Sequence, residues 1–293
     1  MGNRHYGEIG DVWKHFALCE ILAIEQPFHF WESHAGSADY SFTLSPAREY
    51  GIMHFWQHAF SLPVTAKSSY YKLLLKWFRS REPIYPGSPL LAMSILQSSK
   101  ASFLFCDLDL ESLCSIKRRA NNISINHTRL SMINQDGIDT IWNMIHQENV
   151  DPANTLIFID PYDPIQPSLH GVTSLDLFCE CINKRYKVII WFGFDSNSYH
   201  QDWLVLVKQA LSSVKSLNST SAVWSAEVQP EAISTGYNDS SGTFIGSGLL
   251  YCHLSEKSCS IIKKYGRALA RLYHGVLLPN HQSGSLCWNF FQL

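Results

Sequence analysis

The amino-acid sequence predicts a doubly wound α/β fold, a largely parallel sheet with helices on both faces. Three observations lead there. The apolar runs are short, rich in β-branched and aromatic residues, and continuous rather than alternating, as in strands buried on both faces. Stretches of helical periodicity lie between many of them. Several runs end in an acid, where the carboxyl edge of such a sheet would expose it.

Taken in order, residues 11–25 (DVWKHFALCEILAIE) carry an apolar stripe at near-helical spacing, with Asp11 as N-cap. Residues 27–32 (PFHFWE) read as the first strand. Residues 41–84 break the rhythm: they are amphipathic, helical and rich in Trp, Tyr, Lys and Arg, and read as an inserted helical subdomain within one domain spanning 1–293. A helix then begins at Ser88, with Ser88 as N-cap and Pro89 at the first helical position. Strands follow at 101–109, 129–136, 154–163 and 186–194, with helices at 110–122 and 138–148. Residues 221–228 and 243–254 read as a terminal strand pair, and 285–291 as one further strand.

The bulk numbers narrow the classes. A chain of 293 residues that is 46% hydrophobic and 16% charged buries a substantial core. Its formal net charge of -2 gives no general basic surface for nucleic acid, though a local patch stays compatible with it. None of the eight cysteines forms a C-x-x-C pair, and Cys179 and Cys181 are too close in sequence to chelate well. They read as buried thiols of a reduced, cytoplasmic protein, with no metal set. The N-terminus lacks an apolar signal core, Tyr6 stands where a myristoylation motif needs Ser or Thr, and no run is long enough to span a membrane.

After the first strand the chain strips away its side chains: ESHAGSADY, residues 32–40, holds one acid and then small residues around Gly36. A small-residue turn at the carboxyl end of the first strand is where nucleotides and cofactors reach the backbone of this kind of sheet. The dinucleotide fingerprint is absent. Acids recur instead at successive strand ends, as Glu32, Asp107, Asp136 and Asp160. An acid after the second strand can accept from both ribose hydroxyls, and one after the third from an adenine amino group. The set describes a site for S-adenosylmethionine; the competing account makes each acid a turn residue or helix cap.

Several segments, in order, resemble the RlmJ family of bacterial adenine-N6 methyltransferases of large-subunit ribosomal RNA. They are RHYGEIGDVWKH (4–15), ESHAGSADY (32–40), YPGSPL (85–90), QDG (135–137), IDP (159–161) and GTFIGSGLL (242–250). The resemblance covers nearly the whole chain. It implies a Rossmann-like, seven-stranded methyltransferase sheet with a small helical insertion and S-adenosylmethionine as donor. By position it implies that Lys14, His15, His34, Gly36, Ser88, Asp107 and Asp136 line the cofactor, with Lys14 and Ser88 near its carboxylate. Glu32 and Gly137, within the same motifs, join that set. It places Asp160 at the catalytic position and has the arm from Arg4 to His15 close over the cofactor.

One departure bears on the acceptor. The family pattern Asp-Pro-Pro-Tyr is here Asp160-Pro161-Tyr162-Asp163. Asp160 and the Pro161 carbonyl keep the acceptor pair for a target amino group. Tyr162 arrives one position early as a stacking ring, and Asp163 adds a second acid, as general base or as a partner for a cation. The alternative is that Tyr162 and Asp163 only shape a turn before Pro164. Asp39 also stands where the family tends to have Arg. Trp31, Trp56, Trp77, Trp191 and Phe192 are candidate walls for a small ring system, each against the simpler reading of core packing. Lys67, Lys72, Lys76, Arg79 and Arg81 form either an RNA-facing stripe or a solvated helix face. The first expectation is therefore N-methylation of a small aromatic or heterocyclic acceptor. The second is adenine-N6 methylation of ribosomal RNA, and the third a non-catalytic cofactor-binding or scaffold protein. Oligomeric state is not legible.

Overall fold

The computed structural model describes residues 6–147, 150–215, 217, 222–234 and 246–293. Ten strands are present among them: β1 (His29–Glu32), β2 (Asp39–Ser41), β3 (Ile84–Pro86), β4 (Ser102–Cys106), β5 (Leu130–Ile133), β6 (Thr155–Ile159), β7 (Lys187–Phe194), β8 (Trp224–Pro230), β9 (Gly246–Cys252) and β10 (Leu286–Gln292). Eight build the central sheet, in the order β10-β8-β9-β7-β6-β1-β4-β5. Strands β5, β4, β1, β6 and β7 run parallel, and β9, β8 and β10 join antiparallel.

The doubly wound arrangement read from the sequence is present, with one strand more than the seven of the resembled family. The edge strand β10 is paired along β8 from Leu286↔Pro230 to Gln292↔Trp224. The parallel strands are shorter than the apolar runs suggested. The acids after β4, β5 and β6 lie beyond the last paired residue, because a carboxylate belongs at the solvated edge rather than between two covered faces. Residues 221, 243–245 and 148, which the sequence reading included in two strands and a helix, lie outside the described residues.

The first helix, Ile9–Glu25, starts earlier than expected. Glu8 stands at its N-cap position, so Asp11 is inside the first turn, where it accepts from Gly7 N at 2.8 Å. The helix is buried nearly all round from Ile9 to Leu22 instead of along one stripe. Its outer side is covered by the helices Ser69–Phe78 and Glu256–Leu272. Trp13 Nε1 donates to the Ala226 carbonyl at 3.1 Å, and its ring meets Trp288 edge-on at 5.0 Å. At the other end, Glu25 accepts from Ser255 and Ser258 and pairs with Lys187 at 2.8 Å.

The short strands β2 and β3 pair antiparallel, with Tyr40 opposite Tyr85, and bracket the segment expected as an insertion. Helices at His54–His58 and Ser69–Phe78 are its main elements, and Phe55 and Tyr70 pack on Phe16 of the first helix. The segment therefore shares the main core. Asp39 pairs with Arg118 at 2.9 Å and Arg119 at 2.7 Å, tying the ribbon to the helix Leu110–Asn122.

Candidate functional site

Strand β1 sits between β4 and β6, and the crossovers leave it in opposite directions. In open α/β sheets this switch point opens a crevice beyond the carboxyl ends of the strands. Residues 33–38 line it. Ser33 N donates to the Phe158 carbonyl at 3.1 Å and Ala35 N to the Cys106 carbonyl at 2.9 Å, so the turn stays tied to both neighbours of β1. Gly36 has φ +60°, a backbone state that a side chain disfavours. There its N–H donates to Asp107 Oδ2 at 2.7 Å, while Asp109 N donates to Asp107 Oδ1 at 2.8 Å.

Asp136 accepts from Ile138 N at 2.8 Å and so caps the helix Gly137–Gln147. A Cβ on Gly137 would lie 1.8 Å from the Ser33 carbonyl oxygen, so only glycine lets this helix approach the turn. His34 bonds Ser33 Oγ at 2.7 Å. Burial holds its imidazole below the usual value, and Asp136 and Asp107 only partly counter this.

On the other side of the crevice is a buried charge cluster. Lys14 Nζ lies 2.8 Å from Asp160 Oδ2 and 2.9 Å from Asp11 Oδ1, and 5.0 Å from the centre of the Trp191 ring. Burial alone would lower the Lys14 pKa, but the two carboxylates outweigh it and hold the amine charged. Burial raises Asp160, and Lys14 pulls it back only in part. Next to them Glu32 is fully buried. Ser88 Oγ donates to its Oε1 at 2.5 Å, while Oε2 has no hydrogen-bond partner among the described residues. Burial raises the Glu32 pKa strongly despite Ser88. Ser88 is the first residue of the helix Ser88–Ile95, with Gly87 at the N-cap, which corrects its expected capping role. Its hydroxyl is spent on Glu32.

The residues expected at the site thus fall into two adjoining groups. Lys14, Glu32, Ser88 and Asp160 form one; His34, Gly36, Asp107, Asp136 and Gly137 form the other. His15 turns toward the β2–β3 ribbon, where its Nδ1 meets Tyr85 OH at 2.8 Å, and Tyr85 meets Tyr70 at 3.3 Å. Burial and then Lys14 push His15 down to about 3. It folds neutral, so its stabilising share is complete above pH 6.5 and is lost as pH falls from 6.5 toward 3, where the unfolded chain takes up the proton. That window should cost about 3–5 kcal/mol of folding stability. Denaturant unfolding of His15→Gln and the parent protein at both ends of the window checks it: the variant should show the shallower acid loss.

The loop after β6 departs from expectation. Pro161 is buried, but Tyr162 is 93% exposed and stacks on no ring of the site. Asp163 Oδ1 accepts from Ile165 N at 3.0 Å, which shapes the turn before Pro164. The aromatic wall does not assemble either. Trp31 and Phe192 belong to the core on the opposite face of the sheet, and Trp56 packs on Phe78. Trp77 lies under Lys76 and Arg119, which leaves Trp191 alone at the site. Lys67, Lys72, Lys76, Arg79 and Arg81 are exposed. In the N-terminal arm, Arg4 and His5 lie outside the described residues; Tyr6 stacks on Tyr40 at 4.7 Å, with Arg48 over its other face at 3.9 Å.

Sequence reasoning missed the part played by Asp11, which it treated only as a cap. The signal was present in the i,i+3 spacing of Asp11 and Lys14 on one helix face. All eight cysteines are free. Among the described residues, no helix is long and apolar enough to cross a membrane.

The chain matches no family model, and no curated protein matches it. Among solved structures it is similar to protein LPL1258 from Legionella pneumophila, described with the family model DUF519. The TM-score is 0.71 at 18% identity, over 98% of each chain. Weaker likenesses include the O-methyltransferase TomG from Streptomyces achromogenes, crystallised with SAM, at a TM-score of 0.39 and 9% identity over 81% of this chain and 78% of that one. A tRNA (m1A58) methyltransferase from Aquifex aeolicus has a TM-score of 0.38 at 9% identity, over 86% and 73%. The first of these places the whole α/β architecture beside a known one.

Proposed function

We propose that this protein is an S-adenosylmethionine-dependent methyltransferase acting on nitrogen, with a small aromatic or heterocyclic ring as the acceptor. The observation that carries the reading is Asp160-Pro161 at the carboxyl end of β6, beside a glycine turn braced by Asp107 and a buried carboxyl oxygen of Glu32 that lacks a partner. The residues fit the donor. In this reading Asp107 accepts from the ribose hydroxyls and Asp136 from the adenine amino group. Glu32 and Ser88 form a polar floor, and Gly36 and Gly137 leave the backbone approachable. When bound, S-adenosylmethionine supplies an electrophilic methyl group.

The chain's own part is to bind and orient the acceptor. Lys14 holds Asp160 by Oδ2, which leaves Oδ1 to accept a hydrogen bond from the target N–H, and the Pro161 carbonyl takes a second. Two acceptors on one amino group point its lone pair along the line of transfer. A carboxyl group raised by burial is also suited to take up the proton that nitrogen loses. Residues 41–84 serve in this reading as an inserted helical subdomain.

Calorimetric titration with S-adenosylhomocysteine tests the donor site. The parent protein should bind it, and Asp107→Ala should bind about ten- to a hundredfold more weakly, the value of charge-assisted hydrogen bonds together with the lost brace on Gly36. No binding by the parent protein sinks the reading. A ribosomal RNA acceptor is the second reading, favoured by the exposed Lys72, Lys76 and Arg79 of the helix Ser69–Phe78 and its C-cap. It requires RNA binding that weakens with salt and with charge reversal at Lys72 and Lys76.

A further inference from the structure

The loops around the crevice carry an unusual combination of groups. They follow β4 (107–111), β5 (134–139), β6 (160–173) and β7 (195–202), run into the first turns of the next helix in three cases, and rim the carboxyl edge of the sheet. Asn134 Nδ2 donates to the carbonyls of Asp107 and Leu108, both at 2.9 Å. Asp139 accepts from Ser168 Oγ at 2.5 Å and meets His170 Nδ1 at 2.8 Å. The β6 loop is thereby tied to the first turn of the helix after β5.

Leu108, Leu110, Tyr162, Ile165, Leu169 and Tyr199 are all exposed on this rim, with Tyr162 at 93%, Leu169 at 90% and Leu108 at 74%. Isolated exposed apolar side chains need no explanation, but a group of them around a cleft marks an interaction surface. Side chains this exposed do not wall a pocket for a small molecule; they wait for a second surface. The charge between them has one sign. In these four loops every charged side chain other than histidine is an Asp or Glu, and none is Lys or Arg. A polyanion meets repulsion there, while a cationic partner meets complementary potential.

We propose that this rim is a docking surface for a basic, apolar segment of another protein, which carries the acceptor ring into the crevice. The inference rests on the methyltransferase reading for its chemistry and narrows the acceptor to a nitrogen borne on a polypeptide. Leu169, Leu108 and Tyr162 would meet apolar side chains of the segment, and the exposed carboxylates Glu111 and Asp195 its lysines and arginines.

The test uses the full chain and a short labelled peptide rich in Lys and Leu, followed by fluorescence anisotropy. A matched peptide rich in Glu and Leu and a single-stranded RNA serve as the other arms, and S-adenosylhomocysteine binding is measured on the same samples. The Lys-Leu peptide should bind, more weakly as salt rises. Its affinity should fall about tenfold or more in a Glu111→Lys/Asp195→Lys protein and in Leu169→Ser, while S-adenosylhomocysteine binding holds. No peptide binding, or equal binding of the acidic peptide, overturns the docking surface even if the donor product still binds. RNA binding that the rim variants weaken overturns it in favour of a nucleic-acid partner. Peptide binding without S-adenosylhomocysteine binding supports the surface and removes the methyltransferase reading instead.

Discussion

Asp160→Asn should lower methyl transfer by about a thousandfold, the range expected for loss of a positioned proton acceptor. The change keeps the size and one carbonyl oxygen of the side chain, so the β6 loop keeps its shape. It removes the charge that Lys14 holds at 2.8 Å and the basic oxygen that would face the acceptor nitrogen. S-adenosylhomocysteine affinity should stay near that of the parent protein, because the turn at Gly36 and its brace Asp107 belong to the other group of residues. Transfer from a labelled donor into a panel of heteroaromatic amines, basic peptides and ribosomal RNA reads the effect. Unchanged transfer removes Asp160 from its assigned role.

Lys14→Met carries the largest expected effect on stability, a loss of about 3–5 kcal/mol, because it strips the common partner from two buried carboxylates. Asp11 and Asp160 both lean on the one ammonium group, and neither has water enough to replace it. The defect should shrink in acid, where the stranded carboxyl groups take up protons in the folded state. It should also shrink in the Lys14→Met/Asp160→Asn double variant, since one of the two unpaired charges is then gone. Urea midpoints of the two single variants, the double variant and the parent protein give the coupling. A full and undiminished loss in the double variant would show that Lys14 stabilises through its packing on Trp191, with the charges incidental.

The elements that can be read from local pattern are those whose environment is uniform along their length. Strands β4, β6 and β7 are continuous apolar runs because helices cover both of their faces, and the acids after β4, β5 and β6 mark where that cover ends. Ends of elements were less legible. Ser88 and Asp11 are both good capping residues by type, yet neither is the cap: Ser88 is the first helical residue and donates to Glu32, while Asp11 is the third and serves both Gly7 N and Lys14. The pairing of Lys14 with Asp160 spans the first helix and the fourth strand of the central sheet in chain order, and nothing short-range announces it. The aromatic residues failed as a guide to the pocket for a related reason. Strand alternation sends Trp191 and Phe192 to opposite faces of β7, whatever their shared chemistry. Asp39 in place of an arginine was legible as a difference, but its purpose became clear only with Arg118 and Arg119 beside it.

The burial of the first helix has a consequence for how the molecule is made. Ile9–Glu25 meets Phe55 and Tyr70 soon after it in the chain, but its other partners come much later: Lys187 and Ala226, then Ser255 and Ser258, then Trp288. An apolar helix that must wait for these distant partners stays only partly covered as it emerges. The nascent protein therefore keeps part of a long hydrophobic segment open until those later partners are made, and closure of that segment is a long-range, slow event. The same delay keeps Lys14 from reaching Asp160 until the central sheet has formed around it.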